Sequence, residues 1–107
     1  MPSARGIIEA TLARYGLGSL ADWAWERWLD GQSMEQIMLD MRKTTTYKNR
    51  FPAMEQLGQE GRAISEEAYM QYEATIRQLT SQFGLPTSIY GSRDYIAELL
   101  VADVSPV

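Results

Sequence analysis

Ser65-Glu66-Glu67-Ala68-Tyr69-Met70-Gln71-Tyr72-Glu73-Ala74-Thr75-Ile76-Arg77-Gln78-Leu79-Thr80-Ser81-Gln82-Phe83-Gly84 is the stretch on which the fold turns. Tyr69, Tyr72, Ile76, Leu79 and Phe83 recur at alternating steps of three and four, the spacing that puts side chains on one face of an α-helix. Ser65 stands where an N-cap belongs, and Glu66 and Glu67 place negative charge in the first turn, where the helix dipole favours it. Ile64 is set to staple against Tyr69, while Gly84 and Pro86 end the run. The pattern predicts a helix over residues 66 to 83, about 27 Å long at 1.5 Å per residue, with those five residues as its core face.

Upstream, Ile7, Ile8, Thr11, Leu12 and Tyr15 predict a first helix closed by Gly16. Ser19 is a candidate cap for a second helix running to Asp30 and stopped by Gly31. Ser33, with Gln36 completing a capping box, opens a third that carries the stripe Met34, Ile37, Met38 and Met41. From Thr44 to Arg62 the periodicity fades, which predicts a connector with one short helix near residues 52 to 58. Downstream, residues 85 to 91 form a turn-rich joint, and Ser92 caps a last helix with Tyr95, Ile96, Leu99 and Leu100 on one face. No segment alternates like a strand. The expected fold is all-α, a compact bundle of five or six short helices in one domain over residues 1 to 107.

Composition narrows the chemistry. The 107 residues include no cysteine and no histidine, which removes thiolate nucleophiles, imidazole bases, disulfides and the usual zinc ligands together. The carboxylates, Glu66, Glu67 and Glu73 among them, are spaced as on exposed helical faces. No serine sits in a nucleophile elbow, Gly16-Leu17-Gly18 lacks the rest of a phosphate-binding motif, and no calcium-loop spacing occurs. The chain is expected to be no enzyme, with no catalytic residue, cofactor or metal site. Arg5, Glu9 and Arg14 break the apolar runs near the start, so neither a signal peptide nor a membrane span is expected there.

Two features suggest a binding surface. On a wheel for residues 20 to 30, Trp25 and Trp28 share the apolar side with Leu20, Ala21, Ala24 and Leu29, whereas Trp23 falls among Asp22, Glu26, Arg27 and Asp30. Either a neighbouring helix or the 44–52 segment covers Trp23, or Trp23 and Arg27 meet a partner, tryptophan being enriched at interface hot spots. Secondly, Met41 to Met54 contains no acid and carries Arg42, Lys43, Lys48 and Arg50, although the net charge of the whole is −4. Residues 20 to 50 therefore have the rhythm of a helix-turn-helix, and the alternative reading is a small DNA-binding regulatory protein. Against it, the would-be recognition helix starts Ser33-Met34-Glu35-Gln36 and reaches Asp40 before any positive charge.

Gly16-Leu17-Gly18-Ser19-Leu20-Ala21-Asp22-Trp23, Tyr47-Lys48-Asn49-Arg50-Phe51-Pro52-Ala53, Ala63-Ile64-Ser65-Glu66-Glu67-Ala68-Tyr69, Gly84-Leu85-Pro86 and Asp103-Val104-Ser105-Pro106 together resemble a helical segment of virion structural proteins from tailed phages of actinobacteria, tail or other minor structural proteins. The resemblance implies a module that contacts other virion chains, or other segments of the same polypeptide, and performs no reaction. Nucleic acid and membrane are not among the implied partners, and the implied location is the virion, assembled in the host cytoplasm. It also implies that Tyr47, Phe51 and Pro52 pin the connector by aromatic burial and leave Lys48 and Arg50 outward as contact residues. Ser105-Pro106 has the form of a helix start, serine as cap and proline in the first turn, so residues 1 to 107 are expected to be a segment of a longer polypeptide.

Overall fold

A computed structural model describes residues 3 to 104. Ser105 and Pro106, on which the expectation of a further helix falls, lie outside the described residues. Those described are all-helical, without a strand: α1 (Ala4–Arg14), a 3₁₀ turn (Gly18–Leu20), α2 (Ala21–Leu29), α3 (Met34–Met41), α4 (Thr45–Arg50), α5 (Met54–Gln59), α6 (Glu66–Gln82), α7 (Thr87–Tyr90) and α8 (Arg93–Val101). Eight helices replace the expected five or six. The internal contacts gather into two units that meet in sequence at Arg50 and Phe51, the first holding α1 to α4 and the second α5 to α8.

Serine starts four of the helices. The hydroxyls of Ser3, Ser33, Ser65 and Ser92 accept from the amides of Gly6, Gln36, Ala68 and Tyr95 at 3.0 to 3.2 Å, each satisfying one of the donors that a helix start leaves unpaired. Ser19 does no such thing. The chain enters α2 through the 3₁₀ turn, and Leu20 occupies the cap position without a side-chain bond. The capping box at α3 is half made, because the Gln36 amide donates to Asp40 Oδ1 at 3.0 Å instead of reaching back.

The extra helices have local causes. Thr44 Oγ1 donates to the Met41 carbonyl at 2.6 Å and accepts from the Tyr47 amide at 3.2 Å, so one hydroxyl closes α3 and opens α4 where fading periodicity suggested loop. Pro86 occupies the cap position of α7, its ring setting the backbone for a single turn of helix within the expected joint.

In the first unit, Ile8, Leu12, Leu17, Ala24, Ile37, Met41 and Tyr47 are buried. Ala24 is the small member of the α2 stripe, and burying it brings the backbone of α2 close to its neighbours. One turn further on, Trp28 and Leu29 fall past them. Trp28 is 38% exposed and Leu29 is exposed, which corrects the assignment of Trp28 to the core, while Trp25 is half-buried.

In the second unit, α6 buries Glu66, Tyr69, Glu73, Ile76 and Thr80. That stripe has the expected rhythm but is displaced around the helix from the predicted one. It shares Tyr69 and Ile76, leaves Tyr72 and Leu79 half-buried, and puts Phe83 in solvent, 76% exposed. Phe83 is therefore corrected from core to surface. It is the C-cap residue, after which Gly84 turns the chain at φ 68°, and no further turn of helix follows to cover it. Glu66 and Glu73, expected on exposed faces, are buried as well. Among the described residues no buried side-chain nitrogen or oxygen lacks a hydrogen-bond partner.

Candidate interaction surfaces

Of the residues singled out for contact, Trp23 and Arg27 find their partners within the chain. One turn apart on α2, they stack, with the Arg27 guanidinium 4.5 Å from the centroid of the Trp23 ring. Arg27 Nη1 also donates to Asp40 Oδ2 on α3 at 2.9 Å and, at 3.4 Å, to Gln32 Oε1 in the turn. The indole is half-buried. On the polar side of α2 it thus has an arginine four residues on as a neighbour. Cation–π attraction and a charge-assisted hydrogen bond act together here as a latch across the α2–α3 turn.

Arg50 also turns inward. It is 9% exposed, and its Nε donates to the carbonyl of Tyr15, the C-cap residue of α1, at 2.9 Å. A helix ends in unpaired carbonyls carrying partial negative charge, so a guanidinium is a fitting neighbour. This corrects the outward placement of Arg50 and breaks up the basic strip, of which Arg42, Lys43 and Lys48 remain exposed. The exposed positions of α3 are Glu35, Gln36 and Leu39, and the one side-chain donor among them, Gln36, gives its amide to Asp40.

The same device recurs twice in the second unit. Arg77 Nε donates to the carbonyl of Gly91, the C-cap of α7, at 3.0 Å. Arg62 reaches the carbonyls of Val101 at 2.7 Å and Leu100 at 3.4 Å, the last two residues of α8, while its Nη2 also pairs with Glu60 at 2.6 Å. That pairing holds the Glu60 carboxyl below its usual range. Tyr72 donates its hydroxyl to the Val104 carbonyl at 2.6 Å. Burial first, and then the Asp103 carboxylate, push the Tyr72 phenol above its ordinary range. Neither α7 nor α8 has a basic residue in its own last turn.

Large apolar side chains are exposed as well. In the first unit, Ile7, Trp28, Leu29 and Leu39 are exposed; in the second, Phe83, Leu85 and Ile89 stand out around the end of α6. A cleft of about 160 Å³ opens between α6, α7 and α8, lined by Ile76, Leu79, Thr80, Phe83, Leu85, Tyr90, Tyr95 and Leu99. Tyr90 and Tyr95 meet edge to face at 5.3 Å on its wall. Wheel reasoning missed this surface because it assigned Phe83 and Leu79 to the core. The placement of Phe83 as the last residue before a helix-stopping glycine was the available signal.

Comparison of the chain with known protein families, with curated proteins and with solved structures finds no match in any of the three. Among the described residues, no helix is long and apolar enough to cross a membrane.

Proposed function

We propose that this chain is a non-enzymatic structural module of a tailed-phage virion protein, a tail or other minor structural protein, which acts by holding other chains or other segments of its own polypeptide. The observation that carries the reading is the outward set Phe83, Leu85 and Ile89 beside an apolar cleft. Grouped aromatic and aliphatic side chains left in solvent are costly unless a partner covers them, and they are the material of interface hot spots. The resemblance of the quoted segments to virion proteins supplies the setting. In that setting the charged residues Arg27, Arg50, Arg62 and Arg77 lock the helices internally, and apolar surface does the holding.

Two measurements test it. Mass spectrometry of gradient-purified phage particles from the host carrying this gene is expected to find peptides of the chain at structural abundance, and their absence from particles would overturn the virion assignment. Titration with nonspecific duplex DNA across a range of salt is expected to show little binding at moderate ionic strength. Tight binding that weakens steeply with added salt is the mark of phosphate contacts, and would favour the DNA-binding alternative instead.

A further inference from the structure

We infer that α7 is a hinged flap on the second unit: it opens while α6 and α8 stay folded, and Arg77 is the latch that holds it shut. This motion is independent of the virion reading. Burial sets α7 apart from its neighbours. The longer α6 buries five residues and α8 buries Ile96 and Ala97, whereas α7 buries none. Residues 81 to 89 are exposed without a break, from the last turn of α6 through most of α7, so lifting this segment gives up little apolar burial. Segments of that kind open at lower free energy than the packed elements beside them.

The hydrogen bonds divide in the same way. The amides of Ile89, Tyr90 and Gly91 donate to the carbonyls of Pro86 and Thr87, inside the segment itself. Four residues of helix do not hold alone in water, so these bonds open once α7 leaves its neighbours. At the entry to the flap, Gly84 takes φ 68° and Pro86 has no amide to tie down. The exit is where α6 takes hold. Arg77 Nε donates to the Gly91 carbonyl at 3.0 Å, a charge-assisted bond of the stronger kind, and Gly91 is buried. Arg77 Cγ lies only 3.2 Å from where a Cβ on Gly91 would stand, so the arginine packs on the end of the flap as well as bonding it. Leu85 and Tyr90 line the cleft between α6, α7 and α8, and Tyr90 meets Tyr95 of α8 edge to face. Opening the flap therefore parts that ring pair and removes one wall of the cleft, whose width the latch controls.

Amide hydrogen exchange of the full chain, followed residue by residue by NMR, tests this. Relative to their intrinsic rates, the Tyr90 and Gly91 amides are expected to exchange at least tenfold faster than those of Ile76 in α6 and Ala97 in α8. Low urea should speed Ile76 and Ala97 while leaving Tyr90 and Gly91 nearly unchanged, because local opening exposes little surface. Arg77→Lys keeps a positive charge near Glu73, which lies 3.9 Å from the guanidinium, but removes the Nε–H. It is expected to speed Tyr90 and Gly91 by a further tenfold or so, the scale of one hydrogen bond from a charged donor, with Ile76 and Ala97 as in the parent. Tyr90 and Gly91 amides as slow as those of Ile76 and Ala97 in the parent chain would overturn the flap without any variant. A substitution that speeds all four amides alike, or none, would overturn the latch.

Discussion

The two ends of α6 treat a phenylalanine in opposite ways. Near the N-terminal end, Phe51 is 1% exposed and meets Tyr69 edge to face at 5.1 Å, while the Tyr69 hydroxyl accepts from the Ala53 amide at 3.2 Å. At the C-terminal end, Phe83 is 76% exposed and stands in solvent at an open cleft. The first end is closed by a ring pair with a hydrogen bond behind it; the second is an open apolar cleft. A large apolar side chain is thus core only where another element arrives to meet it. Hydrophobic periodicity fixes which face a residue shares, but not how far along the helix that face is covered.

The sharpest way to break this contrast is to remove each ring. Phe51→Ala is expected to destabilise the fold by about 3 to 5 kcal/mol, as for a fully buried phenylalanine, whereas Phe83→Ala should stay within about 0.5 kcal/mol in urea unfolding at low concentration. Lys48→Ala, at an exposed position, belongs with the second. Equal midpoints for Phe51→Ala and Phe83→Ala would erase the distinction between the two ends.

Gly91 tests how rigid the open end is. A Cβ there would lie 2.7 Å from the Thr87 carbonyl oxygen and 3.2 Å from Arg77 Cγ, so Gly91→Ala must push α7 away or dislodge Arg77. Overpacking of this kind costs about 1 to 3 kcal/mol, and the expected readout is a lower melting temperature. At the closed end, Tyr69→Phe keeps the ring pair but leaves the Ala53 amide unpaired in a buried position, for about 1 to 2 kcal/mol.

Smaller effects lie away from the rings. A double-mutant cycle on Arg27 and Asp40 is expected to give a coupling of roughly 0.5 kcal/mol, the scale of a partly exposed ion pair, and less at high salt. Glu60 should contribute least. Its folded carboxyl binds a proton less readily than in the unfolded chain because of Arg62, so its contribution is present above the ordinary carboxylate range and is lost as pH falls through the lowered folded value. Acid titration of Glu60→Gln should therefore differ from the parent only on that acidic side.

Much of the architecture was legible in the sequence because it is local. Ser33, Ser65 and Ser92 cap where the pattern put them, Gly16, Gly31 and Gly84 take positive φ at the stops, and the rhythm of α6 was right while its facing was displaced. The shift came from Glu66, Glu73 and Thr80, polar residues that a hydrophobic stripe counts as solvent-facing and that their surroundings bury. The candidate surface was less legible. A wheel placed Trp23 and Arg27 together on the polar side of α2, but it could not show that the guanidinium lies over the indole. Arg50 looked like part of a basic strip because its acceptor, Tyr15, is 35 residues away.

The bonds from Arg62 and Tyr72 to the end of α8 land on main-chain oxygens of Leu100, Val101 and Val104, 32 to 39 positions away. Every amino acid carries that oxygen, so the tether is indifferent to which side chains occupy residues 100, 101 and 104. Sequence drift there can redraw the outer surface freely while the backbone keeps its heading. The two upstream donors are, in contrast, fixed by their side chains: Arg62→Leu removes the bonds to residues 100 and 101, and Tyr72→Phe the bond to residue 104, whatever stands downstream.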